Sequence, residues 1–174
     1  MIRQEPKPAE VSVIIETPRG SRNKLKYDPD QGMYKLSKVM PEGMMFPYDF
    51  GFVPGTKAED GDPLDVLVLS DEPLFPGCLV DCFLVGVIEA EQEMDGSVKR
   101  NDRLIAVARA SLLYSEVKDL ADLNPTVEKQ IEAFFVNYQK VRDVNTKILD
   151  RGGWDKALVI LRRSAKKKQT NGRS

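Results

Sequence analysis

Apolar residues in the first two thirds of the chain recur in short runs separated by turn residues, a pattern typical of a β-rich unit. The runs predict strands over residues 11–16, 24–27, 33–39, 65–70, 78–90 and 103–108. Proline and glycine recur so often between positions 41 and 55 that we predict no long element there, although the aromatic stretch 44–52 must pack. Residues 91–102 are predicted to form a polar insertion. Short strands joined by turns predict a small closed or partly closed barrel.

The last third of the chain has the period of a helix. Asn124 followed by Pro125 predicts a helix start, because an asparagine side chain can cap the first turn and proline suits its first position. Apolar residues then recur at steps of three and four and form one face: Val127, Ile131, Phe134, Phe135, Tyr138 and Val141. The glycine pair at 152–153 predicts a break, and residues 154–163 predict a second helix. Strands followed by helices predict an α+β fold with the helices packed against the barrel.

Length and composition narrow the possible functions. The 174 residues fit one domain, which we expect to span 1–174. The chain has no histidine, which excludes Ser-His-Asp and Cys-His catalysis and any histidine-bound transition metal. Carboxylate, lysine and tyrosine chemistry remains, and the expected partner is a hard cation on oxygen ligands, above all Mg²⁺.

The net charge of −1 conceals an uneven distribution. Residues 162–174 carry six basic side chains and no acidic one. Because no aromatic residue for base stacking lies among them, we predict a solvated, flexible tail rather than a nucleic-acid-binding arm. No apolar run approaches the roughly 20 residues of a membrane helix, and the N-terminus lacks the features of a signal peptide. Cys78 and Cys82 alone do not make a zinc site, so reduced thiols in a cytoplasmic protein are expected.

An acidic turn spans residues 60–65, where three aspartates are followed directly by the apolar run 66–69. Carboxylates this close raise one another's pKa, so either the turn directs them into water or a cation holds them together. The spacing does not fit an EF-hand loop, whose glycine is sixth rather than second. It fits an aspartate-nucleophile phosphatase poorly, because the acids precede the strand. We therefore favour a cation site formed by Asp60, Asp62 and Asp65.

The sequence Asp-Gly-Asp-Pro-Leu-Asp-Val at 60–66 resembles the signature of the soluble family I inorganic pyrophosphatases. The resemblance extends from Val13 to about Trp154 and includes segments at 15–18, 20–24, 47–52, 73–77, 85–87 and 134–138. It implies a five-stranded OB-type β-barrel with helices packed outside, and Mg²⁺-dependent hydrolysis of inorganic pyrophosphate to two phosphates. It also implies a cytoplasmic homo-oligomer, commonly a hexamer in prokaryotic members, with neither nucleic acid nor membrane as a partner.

The resemblance also implies roles for individual residues. Asp60, Asp62 and Asp65 would be metal ligands, and Asp62 would also orient or deprotonate the attacking water. Glu16 would support the network of water and metal. Phosphate would be bound by Lys24, Lys38, Arg103 and Tyr138.

Several positions depart from the family pattern. Lys26 stands where a glutamate is usual, Lys38 replaces an arginine, and Gln139 replaces a lysine. Phe46 and Phe50 replace two tyrosines, so two hydroxyl groups are lost. Each change can lower the rate by about tenfold to a thousandfold where it removes a transition-state contact.

The second acidic loop fits the family pattern least well. The family's aspartate and lysine fall on Asn101 and Arg103, with Asp102 between them and a short insertion before. Asp102 takes the metal role if the loop is shifted by one residue. A further aspartate of the family corresponds to either Glu93 or Asp95, and the sequence leaves this choice open.

Three hypotheses follow. The first is a Mg²⁺-dependent inorganic pyrophosphatase of a divergent branch. The second, which the substitutions motivate, is a degenerate relative that binds metal or a phosphorylated ligand without turnover. The third, an OB-type nucleic-acid binder, is disfavoured because the acidic turn would repel a phosphate backbone.

Overall fold

The structure is a computed structural model that describes residues 8–170. Within that range the chain forms nine strands: β1 (Glu10–Thr17), β2 (Asn23–Asp28), β3 (Met33–Val39), β4 (Asp49–Val53), β5 (Leu64–Leu69), β6 (Leu79–Met94), β7 (Ser97–Arg100), β8 (Arg103–Ala108) and β9 (Asn145–Gly153). It also forms two α-helices: α1 (Pro125–Lys140), between β8 and β9, and α2 (Trp154–Thr170), after β9. The combination confirms the expected α+β class.

Seven of the strands form one mixed sheet, and β2 and β3 form a separate antiparallel hairpin. Strand β1 pairs with β4 along one edge and with β6 along the other, both antiparallel. Strand β5 pairs antiparallel with β4 and parallel with β8, and β8 pairs antiparallel with β6. The long strand β6 also pairs with β7 and β9. Strand β6 therefore organises the sheet.

Three strands were not expected from the sequence: β4, β7 and β9. In two of these regions glycine was expected to interrupt secondary structure. In the structure, glycine instead lies within a strand where another segment packs closely against it. A Cβ on Gly51 in β4 would lie 2.2 Å from the carbonyl oxygen of Ile14 in the paired strand. A Cβ on Gly153 at the end of β9 would lie 2.2 Å from a carboxylate oxygen of Asp119. These glycines allow two segments to approach closely. The predicted break at 152–153 falls where β9 ends and α2 begins, but both glycines are part of β9 and pair with β6.

The two faces of strand β5 show how the core is divided. Leu64, Val66 and Val68 pack into one apolar cluster, and Leu67 and Leu69 pack into another. Helix α2 contributes to the first cluster and helix α1 to the second. Because side chains alternate between the two faces of a strand, the two helices pack on opposite faces of the sheet.

Helix α1 begins as the sequence predicts. The side-chain oxygen of Asn124 accepts a hydrogen bond from the backbone N–H of Thr126 at 2.9 Å, and Pro125 occupies the first helical position. The predicted apolar face packs in the second cluster: Val127, Ile131, Phe134, Phe135 and Tyr138. Val141 is the exception, because it follows the last helical residue and is 53% exposed.

Helix α2 is longer than predicted and corrects the interpretation of the basic segment. The expected helix ended at 163 and the expected flexible tail covered 162–174, but the helix continues to Thr170. Ser164 is buried, and its carbonyl accepts a hydrogen bond from the backbone N–H of Lys57 at 3.4 Å. The rest of the predicted tail, residues 171–174, lies outside the described residues. Neither helix of the described range has the length and apolar character needed to cross a bilayer.

Candidate active site

A cleft of about 650 Å³ collects most of the side chains that the sequence singled out. Its walls come from β1, the β2–β3 hairpin, the turn before β5, the β6–β7 hairpin and the end of α1. Seven predicted site residues line it: Glu16, Lys24, Lys38, Asp60, Asp62, Asp65 and Arg103. Two others, Asp102 and Tyr138, do not lie on its wall.

The three aspartates of the acidic turn, Asp60, Asp62 and Asp65, reach the cleft because the turn is fixed at both ends. The side chain of Asp60 accepts a hydrogen bond from the backbone N–H of Asp62 at 3.0 Å, around Gly61 with its positive φ of 90°. The buried hydroxyl of Thr56 accepts from the backbone N–H of Leu64 at 2.9 Å, where β5 begins. Burial and the carboxylates of the other two aspartates raise the pKa of Asp60.

Two cations of the chain contact the acidic turn. The ammonium of Lys26 lies 2.8 Å from a carboxylate oxygen of Asp62, and the guanidinium of Arg103 lies 3.1 Å from Asp65. In residues 8–170 no three acidic side chains converge closely enough to hold one ion as they stand. An ion held by all three carboxylates at once would therefore require these side chains to move, and Lys26 and Arg103 would compete with it for Asp62 and Asp65.

The chemistry of the acidic turn fits a hard divalent cation. Carboxylate oxygens are the ligands that Mg²⁺ and Ca²⁺ prefer, and the chain has no histidine that would select a transition metal. The raised pKa of Asp60 indicates that its charged form is disfavoured among its neighbours. A cation bound to the turn would offset that unfavourable crowding of negative charge.

Glu16 lies at the buried end of the cleft, on β1. One of its carboxylate oxygens accepts a hydrogen bond from the backbone N–H of Tyr27 at 2.8 Å. Burial raises the pKa of Glu16 to about 6, and the Tyr27 hydrogen bond opposes this shift. The negative charge of Asp65 adds to the increase in pKa. Glu16 can therefore exchange a proton near neutral pH.

A second part of the wall is basic, and we call Lys24, Lys38 and Arg142 the basic cluster. The ammonium of Lys24 lies 5.6 Å from the ring centroid of Phe50 and 5.3 Å from that of Tyr138. These rings face a cation, so the phenylalanine at position 50 still contributes to the site without a hydroxyl group.

Tyr138 and Phe46 belong to the core rather than to the cleft surface. The ring of Phe46 packs 5.7 Å from that of Tyr138 and 5.1 Å from that of Phe134, and Phe46 is fully buried. The Tyr138 hydroxyl is also buried, and it has no hydrogen-bond partner among the described residues. Tyr138 therefore contacts the cleft indirectly, because its ring packs under the ammonium of Lys24, which lines the cleft.

The β6–β7 hairpin forms the remaining wall. Its tip is Asp95-Gly96, both with positive φ, as a two-residue hairpin turn requires. Asp95 and Asn101 line the cleft, whereas Glu93 does not. Asp102 is turned away: one carboxylate oxygen accepts from the backbone N–H of Ala90 at 3.1 Å and from Arg100 at 2.9 Å. Of the four candidates in this loop, the structure therefore brings two into the cleft.

Two arginines of the cleft were not predicted from the sequence, Arg100 and Arg142. Arg142 follows α1, three positions after Gln139. Residues three apart on a helix share a face, so this spacing was the signal that could have identified it. No such spacing pointed to Arg100, because its position depends on the pairing of β7 with β6.

Comparison with known proteins gives a consistent result. The family model described as inorganic pyrophosphatase matches residues 13–169. The chain is 41% identical over 147 residues to an inorganic pyrophosphatase of Thermus thermophilus, covering 84% of this chain and 82% of that protein. It is 39% identical over 163 residues to one from Nostoc sp., covering 91% and 92%. A crystal structure of inorganic pyrophosphatase from Thermus thermophilus matches with a TM-score of 0.86 at 34% identity and covers 97% of both chains.

Proposed function

The chain belongs to the inorganic pyrophosphatase family, and from this premise we propose that it hydrolyses inorganic pyrophosphate to two phosphates with Mg²⁺ as its cation. The observation that supports the activity most directly is the make-up of one cleft, which is lined by both the acidic turn and the basic cluster. The carboxylates suit divalent cations, and the ammonium and guanidinium groups suit phosphoryl oxygens. A small anion that binds together with divalent cations fits this combination.

The reaction adds water to one phosphorus atom and breaks its bond to the bridging oxygen, which leaves with the second phosphate. The acidic turn would hold a divalent cation, whose positive charge would acidify a nearby water and neutralise phosphoryl oxygens. Asp62 would orient that water or accept its proton, and Asp60, Asp62 and Asp65 would be the ligands of the cation. Glu16, with a pKa of about 6, supports the water network and can pass a proton at neutral pH.

Phosphate is bound by cations that surround the reacting group. We assign this role to Lys24, Lys38 and Arg103, which line the cleft. Tyr138 supports them through its ring, over which Lys24 lies. Its hydroxyl is buried and has no partner among the described residues, so it reaches phosphate only if the ring moves.

The second acidic loop contains two candidate metal ligands. Asp102 stays a predicted metal ligand, and it could reach the cation only if its contacts with Ala90 and Arg100 were broken. Asn101 already lies in the cleft and offers a neutral amide oxygen. That oxygen is hydrogen-bonded to Arg103.

The proposal extends to the fold and the assembly. We propose that β1, β4, β5, β8 and β6 are the five strands of the OB-type barrel, because each pairs with the next and β6 pairs again with β1. The chain is proposed to be one domain over 1–174 and to act in the cytoplasm as a homo-oligomer, with a hexamer as the form common in prokaryotic members of the family.

The test is release of phosphate by the purified protein. With Mg²⁺ and pyrophosphate we expect steady phosphate release that stops when EDTA removes the metal. Absence of release across pH values and divalent metals would contradict the proposal. Calorimetry that then showed tight pyrophosphate binding would indicate a degenerate relative that binds without turnover.

A further inference from the structure

We propose that Arg142 binds a phosphate group of the substrate directly and that Gln139 positions it for this role. The inference rests on the proposed function, because it concerns the anion bound in the same cleft. Its evidence is a contact pattern in this chain: a buried glutamine and an aromatic ring hold an arginine at the cleft wall that also carries Lys24 and Lys38.

The guanidinium of Arg142 is fixed by its surroundings. Its Nη1 donates a hydrogen bond to the side-chain oxygen of Gln139 at 3.0 Å, and Gln139 is only 2% exposed. Its central carbon lies 5.7 Å from the ring centroid of Tyr138. The backbone N–H of Arg142 donates to the carbonyl of Gln139 at 2.8 Å in the turn that ends α1. An arginine held by side chain, ring and backbone loses little further freedom on binding a ligand.

The basic cluster has positive charge without a matching carboxylate. In the described part of the chain, Lys24, Lys38 and Arg142 form no ion pair with an acidic side chain. Partial burial and the charge of Arg142 lower the pKa of Lys38, and Lys24 adds to this effect. Like charges gathered in this way oppose one another, and a bound anion would remove the repulsion.

Of the other four cations of the cleft, three are already paired with carboxylates, and the fourth, Lys99 on the β6–β7 hairpin, forms no ion pair within the described residues. Lys26 is paired with Asp62, Arg103 with Asp65, and Arg100 with Glu89 and Asp102. Arg142 instead has a buried Nε without a partner among the described residues. A guanidinium can donate two parallel hydrogen bonds to a phosphate, so Arg142 offers the anion a fork that a lysine cannot.

Arg142→Gln tests the proposal, with Arg109→Gln as the matched control. Arg109 does not line the cleft, and its guanidinium makes a long contact of 3.8 Å with the carboxylate of Glu10. We expect Arg142→Gln to weaken the calorimetric Kd for inorganic phosphate by roughly tenfold, the size of one lost charged hydrogen bond, and to raise KM for pyrophosphate similarly. The affinity for Mn²⁺ should stay unchanged, and Arg109→Gln should resemble the wild type in every measurement.

Two further variants test which property of the Arg142 side chain, its fork or its charge, binds phosphate. Arg142→Lys keeps the charge and loses the fork, so we expect a smaller loss of phosphate affinity. The double variant Arg142→Gln with Gln139→Lys moves the charge back by one helical turn and should recover part of the affinity. A Kd for phosphate within twofold of the wild type in folded Arg142→Gln would overturn the proposal.

The outcome also distinguishes this inference from the proposed function. If the wild type hydrolyses pyrophosphate and Arg142→Gln binds phosphate as tightly as the wild type, the role of Arg142 is wrong and the activity stands. If the wild type releases no phosphate but binds it through Arg142, the activity is wrong and the role of Arg142 stands.

Discussion

Two acidic segments border the same cleft, and the structure treats their aspartates in opposite ways. The side chain of Asp62 in the acidic turn is 54% exposed and faces the cleft, whereas that of Asp102 in the second loop is 13% exposed and contacts its own hairpin. Both segments stand next to a buried strand. The difference therefore arises from the backbone that carries the carboxylate rather than from the residue type.

Alternation along an extended chain explains the second loop. Asn101 and Arg103 both line the cleft, and Asp102 between them points to the opposite face, as successive side chains of an extended segment do. In the acidic turn, Gly61 with its positive φ bends the chain, so three carboxylates separated by one or two residues reach one cleft. A tight turn can gather ligands that an extended segment separates.

The variant Asp62→Asn is the strongest test of the role of the acidic turn. Because the amide cannot accept a proton from the attacking water, we expect kcat to fall by roughly 10²–10⁴-fold. Asp30→Asn makes the same change at an exposed position outside the cleft and should leave kcat as it is. Steady-state hydrolysis of pyrophosphate measures both. A value of kcat for Asp62→Asn within a few-fold of the wild type would contradict the role of the acidic turn.

The second test compares Asp65→Asn with Asp102→Asn. We expect Asp65→Asn to weaken Mn²⁺ binding by at least about tenfold, since a carboxylate ligand is lost. If Asp102 keeps its contacts with Ala90 and Arg100 when metal binds, Asp102→Asn should keep the Mn²⁺ affinity but lower the free energy of unfolding by about 1–3 kcal/mol, because its charged contact with Arg100 is lost. Calorimetry and urea unfolding give the two quantities. Weaker Mn²⁺ binding in Asp102→Asn would show that the loop rearranges and that Asp102 is a ligand.

The third test uses pH on the metal-free protein. The pKa of Glu16 is about 6 in the folded state against 4.5 for an ordinary glutamate, so the folded protein holds this proton more tightly. Its stabilising effect is complete below about pH 4.5 and is lost as the pH rises through about 6. Relative to Glu16→Gln, the wild type should lose on the order of 1–2 kcal/mol of unfolding free energy across this window. A difference between the two proteins that stays constant with pH would exclude the raised pKa.

The smallest expected effect is that of Lys26→Met. Removing the ammonium that contacts Asp62 should strengthen Mn²⁺ binding by about two- to fivefold, the size of an exposed ion pair. Lys35→Met is the control, because Lys35 pairs with Asp28 outside the cleft. Unchanged or weaker Mn²⁺ binding in Lys26→Met would mean that the lysine does not compete with the metal.

The sequence predicted the parts of the fold that depend on local pattern. Strands β1 and β8, the cap at Asn124 and most of the apolar face of α1 appear as expected, because each is encoded within a few residues. Strands β4 and β9 were missed because they pair with distant segments, whereas β7 pairs locally with β6 and was missed because its largely exposed residues show no apolar pattern. Gly51, in particular, is explained only by the carbonyl of Ile14 that packs against it.

The candidate site likewise has one part that the sequence predicted and another that it did not. The acidic turn could be recognised because its spacing is short and its sequence is distinctive. Arg142 was missed, because its spacing from Gln139 indicates only a shared face, and its position also depends on where α1 ends and on contacts with Tyr138 and Gln139. The pairing of Lys26 with Asp62 also joins two distant segments, so the sequence showed a substitution at position 26 but not the partner of the new charge.

The most direct test of the central claim is a crystal structure of the protein soaked with Mn²⁺ and phosphate, with the metal located by anomalous scattering. We predict a metal peak in contact with the carboxylates of Asp60, Asp62 and Asp65, with Lys26 displaced from Asp62. An acidic turn without metal at saturating Mn²⁺, with Asp62 still bound to Lys26 and Asp65 still bound to Arg103, would contradict it.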